Sequence, residues 1–339
     1  MTDFKVPDSF YESLKSTYSK AVESGDLVFT PTSTIYTNVD DVSYVYSVIP
    51  TLKQKPQGIP KPSEEEQEEE QEDSSAPFDP FDPPSPPLLV LPDYANNYAV
   101  VLNKFAVVPY HFILITKDKK PQSAPLEPTD LHAAYSLLRA TNKQSGIRHV
   151  GFFNCGANSG ASIDHRHIQF IEFPNPKSSD GAVYEPWPDV IVKPHSTTYK
   201  NGQKPISAHH APFFSHFLAP IDTSTKEDEL ADHLSFRYST LLSRVLTSLR
   251  HSSLPPRSPI SYNLVFTEEW MLAVPRTAPD FIDAEADIKI GVNAVGAIGL
   301  ILAKGDDELE YIKKKGPVAI LQGVSLESQK REEDVDYDY

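Results

Sequence analysis

Residues 154–169 read Asn-Cys-Gly-Ala-Asn-Ser-Gly-Ala-Ser-Ile-Asp-His-Arg-His-Ile-Gln, a small-residue turn rich in donors followed by two histidines and a glutamine at alternate positions. In an extended strand successive side chains point to opposite faces. His165, His167 and Gln169 therefore share one face, and Arg166, Ile168 and Phe170 take the other. An imidazole has an unperturbed pKa of about 6.5, so its neutral form is abundant near pH 7. Its free nitrogen can attack phosphorus and divide one transfer into two displacements. Charge developing on the non-bridging oxygens requires fixed donors. Gly156, Ser159, Gly160, Ala161, Ser162 and Ile163 form a turn that supplies backbone N–H groups and hydroxyls, and Asn154 adds an amide. Gln169 can bind phosphate without acting as an acid or base. These residues mark a phosphate site without choosing between the two histidines as nucleophile.

Other chemistry fits the same stretch less well. Cys155 adjoins the turn, but no neighbour specifies a lowered thiol pKa, which favours a small packing residue. The alternate spacing of His165 and His167 suits two zinc ligands, yet a third and fourth are not identifiable nearby, so no protein metal site is expected. His195, His209, His210 and His216 fall in an irregular proline-rich region and read as surface or packing residues.

The elements that must position this turn are short. Ser9–Ser24 is helical by periodicity, capped by Asp8 or Ser9 and stopped at Gly25. Val42–Ile49 is strand-like, and Tyr98–Phe105 with His111–Thr116 reads as a strand pair. Thr129 caps a helix through about Asn142, the strand Val150–Asn154 enters the motif, and His165–Phe173 leaves it as a strand. Lys226–His251 is strongly helical; Tyr262–Phe266 and Trp270–Val274 form a hairpin; Ala297–Leu302 is a late strand or short helix. Adjoining strands with helices grouped between them indicate α+β rather than alternating βαβ.

The chain has 339 residues and a net charge of −16, but the charge is unevenly placed. Residues 64–73 carry eight acids and residues 332–338 carry five, with no base in either run; without those thirteen charges the body stands at −3. Both runs read as solvated segments. No basic cluster exists to hold a polynucleotide backbone, so no nucleic-acid partner is expected. No apolar run approaches membrane-spanning length, residues 1–20 lack a signal pattern, and a single cysteine excludes an intramolecular disulfide framework. A cytoplasmic location, with access to the nucleus, is the expectation. The organisation expected is a helix and strand in residues 1–56 belonging to the catalytic unit, a disordered acidic and proline-rich insertion over 57–87, a catalytic core over 88–313, and an acidic tail over 314–339.

His165-Arg-His-Ile-Gln169, preceded by Ser159-Gly-Ala-Ser162, resembles the His-x-His-x-Gln signature of the transferase branch of the histidine-triad superfamily. Asn154-Cys-Gly156, Leu102-Asn-Lys-Phe105, Val108-Pro-Tyr-His-Phe-Ile-Leu-Ile-Thr116, Tyr262-Asn-Leu-Val-Phe-Thr267 and the Trp270…Val274-Pro-Arg276 block narrow the resemblance. Together they are similar to the fungal diadenosine tetraphosphate phosphorylases, also called ATP adenylyltransferases, from about Phe10 to Lys313. The acidic insertion and tail depart from that pattern.

The resemblance implies a histidine-triad-like antiparallel sheet flanked by helices, with N- and C-terminal elaborations, in one monomeric unit. It makes His167 the nucleophile, which takes AMP from diadenosine tetraphosphate, expels ATP and passes AMP to phosphate as ADP, reversibly, with sulfate as an alternative acceptor. His165 assists or orients His167 through a hydrogen bond. Gln169 stands where the hydrolases of the superfamily have a third histidine, consistent with a phosphate acceptor rather than water. Substrate contacts are implied at Lys55 (with Lys53 close in the alignment), Asn103, Lys104, Phe266, Thr267, Leu272 and Arg276. Magnesium is implied as the counter-ion of the polyphosphate rather than in a protein cage. A hexose-1-phosphate uridylyltransferase, a nucleotide-binding protein without turnover, and a metal-dependent hydrolase using His165 and His167 are the alternatives.

Overall fold

In chain order the elements of the computed structural model, which describes residues 4–49, 78–174, 183–193, 214–255 and 258–327, begin with helix α1 (Phe10–Ser24). Strands β1 (Val28–Phe29), β2 (Ser33–Val39), β3 (Val42–Val48), β4 (Leu89–Tyr94), β5 (Tyr98–Leu102), β6 (Phe105–Ala106) and β7 (Phe112–Thr116) precede helix α2 (Pro128–Ser145). Then come β8 (His149–Cys155), β9 (His167–Glu172), the short helix α3 (Trp187–Val192), β10 (Phe217–Pro220) and the long helix α4 (Glu227–Arg250). Strands β11 (Tyr262–Phe266), β12 (Trp270–Pro275), β13 (Asp280–Asp283), β14 (Ile288–Gly291) and β15 (Leu300–Ala303) lead to helices α5 (Asp306–Lys315) and α6 (Pro317–Gln322).

Eight strands form one antiparallel sheet in the order β10-β12-β11-β8-β9-β7-β5-β4. Both faces are covered, which explains why β5, β7, β8, β11 and β12 are buried along their whole length instead of alternating with polar residues. One face packs against α1, α2 and α4 through Phe10, Leu14, Leu137, Leu138, Leu241 and Val245. The other face carries two smaller apolar clusters. Over β8, β11 and β12 lies the three-stranded sheet β15-β3-β2 with α5 and α6; over β5 and β7, Phe81 closes on Ala99, Val101, Ile113 and Ile115. His167 and Gln169 stand between these clusters.

The α+β architecture read from the sequence is the one observed. Several boundaries differ. Helix α2 is capped by Glu127, not Thr129: the Glu127 side chain and Asp130 form reciprocal bonds across the first turn, with Pro128 at the first helical position. Strand β9 starts at His167 rather than His165, because the Arg166 backbone is bonded to Lys120 and Thr116 outside the ladder. Residues 78–87, assigned to the disordered insertion from composition, form a bend and a 3-10 turn against the sheet, held there by burial of Phe81 and Leu88. The rest of that insertion, Lys53, Lys55, His195, His209, His210 and residues 328–339 lie outside the described residues. Among the described residues no helix is long and apolar enough to cross a membrane.

Candidate active site

Strand β9 delivers His167 to the centre of the sheet. Its register opposite Ile115 of β7 fixes the face, and Gln169, two residues on, pairs with Ile113 and Phe152. Where β8 and β9 diverge, the amide of Gln122 is inserted between them. Its Nε2 donates to the carbonyls of Asn154 (2.9 Å) and His167 (3.2 Å), and its Oε1 accepts the His167 N–H at 2.8 Å. A side chain thus satisfies backbone groups that the ladder leaves open there.

The imidazole of His167 donates from Nδ1 to the carbonyl of His165 at 2.7 Å. That bond fixes the tautomer and leaves the lone pair on Nε2, to which no described residue is bonded. Burial lowers the His167 pKa to about 4, against the opposing effect of the His165 carbonyl, so the ring is neutral at physiological pH. His165 is differently placed. Its Nε2 lies 2.7 Å from the carbonyl of Thr116 and its Nδ1 2.9 Å from Oδ2 of Asp79, so neither nitrogen has a lone pair directed at a substrate. Of the two rings only that of His167 leaves a nitrogen to which no described residue is bonded, which makes it the candidate nucleophile. The contact from His165 to the His167 ring is made by its backbone carbonyl and not by its imidazole.

Two amides flank the nucleophile, and both are oriented by their oxygens. Asn154 Oδ1 accepts the Ala294 backbone N–H at 3.0 Å and Asn263 Nδ2 at 2.9 Å, which assigns its NH2 to the site. For Gln169 the orientation is set through a chain that begins at a backbone donor. Phe105 N–H donates to Asn103 Oδ1 (3.0 Å), and Asn103 Nδ2 donates to His111 Nδ1 (3.1 Å); His111 Nε2–H then donates to Gln169 Oε1 (3.1 Å). Each link has only one donor direction once the first is set, and the Gln169 NH2 is left facing outward.

The turn before the histidines divides into a buried half and an open half. Ser159 is fully buried: its hydroxyl and N–H both bond Gly156 O, and its carbonyl accepts from Asn263 at 2.8 Å. Ser159 thus braces the turn, with its hydroxyl, N–H and carbonyl all engaged by protein groups. Beyond it, no described group accepts from the N–H groups of Gly160, Ala161, Ser162 or Ile163, leaving four backbone donors ahead of the nucleophile. Gly160 has φ +84°, and a Cβ there would lie 2.8 Å from Val292 O, so only glycine fits this step of the turn. Beneath the turn, Arg276 is 2% exposed and donates to the carbonyls of Val324 (3.0 Å), Ala278 (2.8 Å) and Val292 (2.8 Å), with Nη1 on Asn263 Oδ1 at 2.5 Å. Cys155 is buried, and desolvation raises its thiol to about 11, which makes it a packing residue.

The profile of the Ap4A phosphorylase N-terminal domain matches residues 2–185, and that of the ATP adenylyltransferase C-terminal domain matches residues 210–327. Protein APA1 of Saccharomyces cerevisiae is 33% identical over 320 residues, 91% of each chain. The chain belongs to the Ap4A phosphorylase family. A second S. cerevisiae relative, diadenosine 5',5'''-P1,P4-tetraphosphate phosphorylase 2, is 32% identical over 224 residues, covering 63% of this chain and 65% of its own. The crystal structure of yeast Ap4A phosphorylase Apa2 in complex with AMP superposes with a TM-score of 0.78 over 97% of this chain and all of that one, at 24% identity, so the fold is shared. The main sheet draws β4, β5 and β7–β9 from the first family domain and β10–β12 from the second, so the two build one sheet.

Within this family frame, the structure brings together His167, His165, Gln169, Asn154 and the turn 159–163, and ties Asn103 to them through His111. Lys104 is exposed beside the Phe105 ring. The C-terminal block does not converge as the resemblance implied. Phe266 lies on the helix-covered face, edge-on to Phe170 and directly over Gly151, where any Cβ would strike its ring. Thr267 is buried in the hairpin turn, its hydroxyl bonded to Glu269. Leu272 shares the face of His167 but is packed in the apolar cluster with Val265 and Phe152. Arg276 is the buried clamp described above. All four are buried, and the side-chain polar atoms of Thr267 and Arg276 are bonded to protein groups. Sequence reasoning also missed Asp79, Phe81, His111, Gln122 and Asn263. His111 lay inside a quoted block, and the aromatic residues of Phe78-Asp-Pro-Phe81 in an otherwise acidic, proline-rich stretch were the available sign of a docked segment.

Proposed function

We propose that this protein cleaves diadenosine tetraphosphate by phosphorolysis through an adenylylated His167, reversibly. The reading is carried by one observation: a buried, neutral imidazole whose Nε2 lone pair is fixed between two outward-facing amide NH2 groups, behind four unbonded backbone N–H groups. Its enzyme class, a nucleotidyltransferase, follows from the family, as does its substrate, the one named in its yeast relative.

In the first displacement Nε2 attacks an α-phosphorus; the P–N bond forms, the P–O bond to the β-phosphate breaks, and ATP leaves. Asn154, Gln169 and the N–H groups of residues 160–163 stabilise the non-bridging oxygens as charge develops. Nδ1, held on the His165 carbonyl, keeps its proton, so the adenylylated ring carries a positive charge that makes it a good leaving group. In the second displacement inorganic phosphate attacks the same phosphorus, breaks the P–N bond and releases ADP. Phosphate arrives ionised and needs no general base, which suits a glutamine at position 169. Sulfate meets the same requirement. Magnesium enters with the polyphosphate as part of the substrate. The protein acts as a monomer in the cytoplasm, with access to the nucleus.

Incubation with diadenosine tetraphosphate, magnesium and phosphate tests the reading: ADP and ATP must appear in equal amounts, sulfate must substitute for phosphate, and water must not. Absence of ADP and ATP with phosphate would sink it.

A further inference from the structure

The segment 78–84, which composition alone assigns to a solvated insertion, reaches the active-site histidines. Asp79 Oδ2 accepts from His165 Nδ1 at 2.9 Å, and Asp79 Oδ1 accepts the Phe81 N–H at 3.0 Å, which closes the turn on itself. Lys119 Nζ lies 3.4 Å from the same carboxylate. One residue past Pro80, the Phe81 ring packs at 5.7 Å from that of His165 and 5.4 Å from that of His167. His165 is fully buried.

The acceptors around His165 decide what it must donate. A carboxylate and a carbonyl both lack hydrogens, so Asp79 on one side and Thr116 on the other can only accept from the ring. Asp79 is the carboxylate in contact with this buried ring, at 2.9 Å from Nδ1. The same residue's backbone carbonyl accepts from His167 Nδ1.

We propose that Asp79 is a positioning residue for AMP transfer: by fixing the His165 ring it fixes the carbonyl that holds His167 in the tautomer with Nε2 free. The proposal rests on the reading of His167 as the nucleophile. It gives the 79–81 turn two linked tasks, since Asp79 anchors His165 while Phe81 covers both rings. It also separates Asp79 from substrate binding, because its two oxygens are directed at His165, Phe81 and Lys119.

The test uses the full chain carrying Asp79→Ala, Asp79→Asn or Asp79→Glu. In single-turnover reactions with labelled diadenosine tetraphosphate, AMP transfer to the protein should slow about tenfold to a hundredfold in Asp79→Ala, the range usual for residues behind a reacting ligand. Dinucleotide affinity should change less than twofold. Asp79→Asn, which keeps the volume and one acceptor should the alanine variant fail to fold, should be intermediate, and Asp79→Glu should recover part of the rate. Nitrogen-15 spectra of the histidines should show loss of the Nδ1–H form of His167 in the slow variants. An unchanged transfer rate in both Asp79→Ala and Asp79→Asn overturns the proposal, and so does a slow rate with the His167 tautomer intact. Retained adenylylation in His167→Ala would instead overturn the functional reading beneath it.

Discussion

His111 donates from Nε2 to Oε1 of Gln169 at 3.1 Å, and this single bond decides which end of the Gln169 amide faces outward beside His167. The His111 tautomer is itself dictated by Asn103, and Asn103 by the Phe105 backbone N–H. Orientation of a substrate donor thus originates in a main-chain group at the edge of the neighbouring loop.

Replacing His111 should therefore impair the second displacement more than binding. In His111→Ala the Gln169 amide loses its guide and the Asn103 NH2 its acceptor. Phosphorolysis is expected to fall about tenfold to a hundredfold, with dinucleotide affinity changed little. Unfolding titrations should show a cost of about 1–3 kcal/mol for the unsatisfied groups. Steady-state kinetics with phosphate varied, set beside equilibrium binding, check both parts.

Asn154→Asp separates scaffold from chemistry. An aspartate retains the acceptor for Ala294 N–H and Asn263 Nδ2, so the thermal midpoint should shift by only a few degrees. It removes the outward NH2 and puts a negative charge where phosphate oxygens must sit. AMP transfer should fall by at least about a hundredfold. A variant that melts normally and retains more than a tenth of its activity would refute this role.

Acidification should act on stability before it acts on the nucleophile. His149, His167 and His216 all have pKa values lowered to about 4 by burial, against about 6.5 when unfolded. Between those values the unfolded chain binds more protons than the folded one. Their stabilising contribution is thus complete above about 6.5 and is lost as pH falls toward 4, each histidine adding about 1.4 kcal/mol per pH unit to the slope. The rate of AMP transfer to His167, measured in short pulses, should stay level from pH 7 down to about 5 instead of halving near 6.5. Denaturant titrations across the same range check the slope.

Arg276→Lys distinguishes a clamp from a substrate contact. A lysine presents one ammonium where the guanidinium reaches five carbonyls and Asn263. The loss expected is roughly 2–4 kcal/mol of folding stability, with carbonyls left unpaired. At a temperature where the variant remains folded, its Michaelis constant for the dinucleotide should match that of the parent chain. A selective rise in that constant without loss of stability would contradict the clamp.

Why the sequence discloses some of this and not the rest can be followed residue by residue. The β5–β7 and β11–β12 pairs are legible because apolar runs end at turn residues, and the face of His167 and Gln169 follows from alternation alone. That same alternation separates the C-terminal block. Phe266 and Leu272 lie on adjoining strands yet face opposite sides of the sheet, so a motif carried over as a unit puts buried core beside true neighbours of the site. Gln122 and Asp79 were hidden for another reason: they act from loops 45 and 86 residues away from their partners, where no periodicity links them. Glu127 took the cap from Thr129 because Arg166, arriving from the site, also needs its carboxylate.

The Gln122 amide has a bearing on how one site can serve two opposite displacements. It stands in for a rung of the β8–β9 ladder at His167, while β7 on the other edge is held to β9 by backbone pairing. A side-chain rung can tilt with χ angles alone, and a main-chain rung cannot. His167 is therefore held by a side chain on its β8 edge and by the backbone ladder, opposite Ile115, on its β7 edge. With Nε2 adenylylated as proposed, both displacements would load a residue tied to β8 by one amide and to β7 by main-chain pairing.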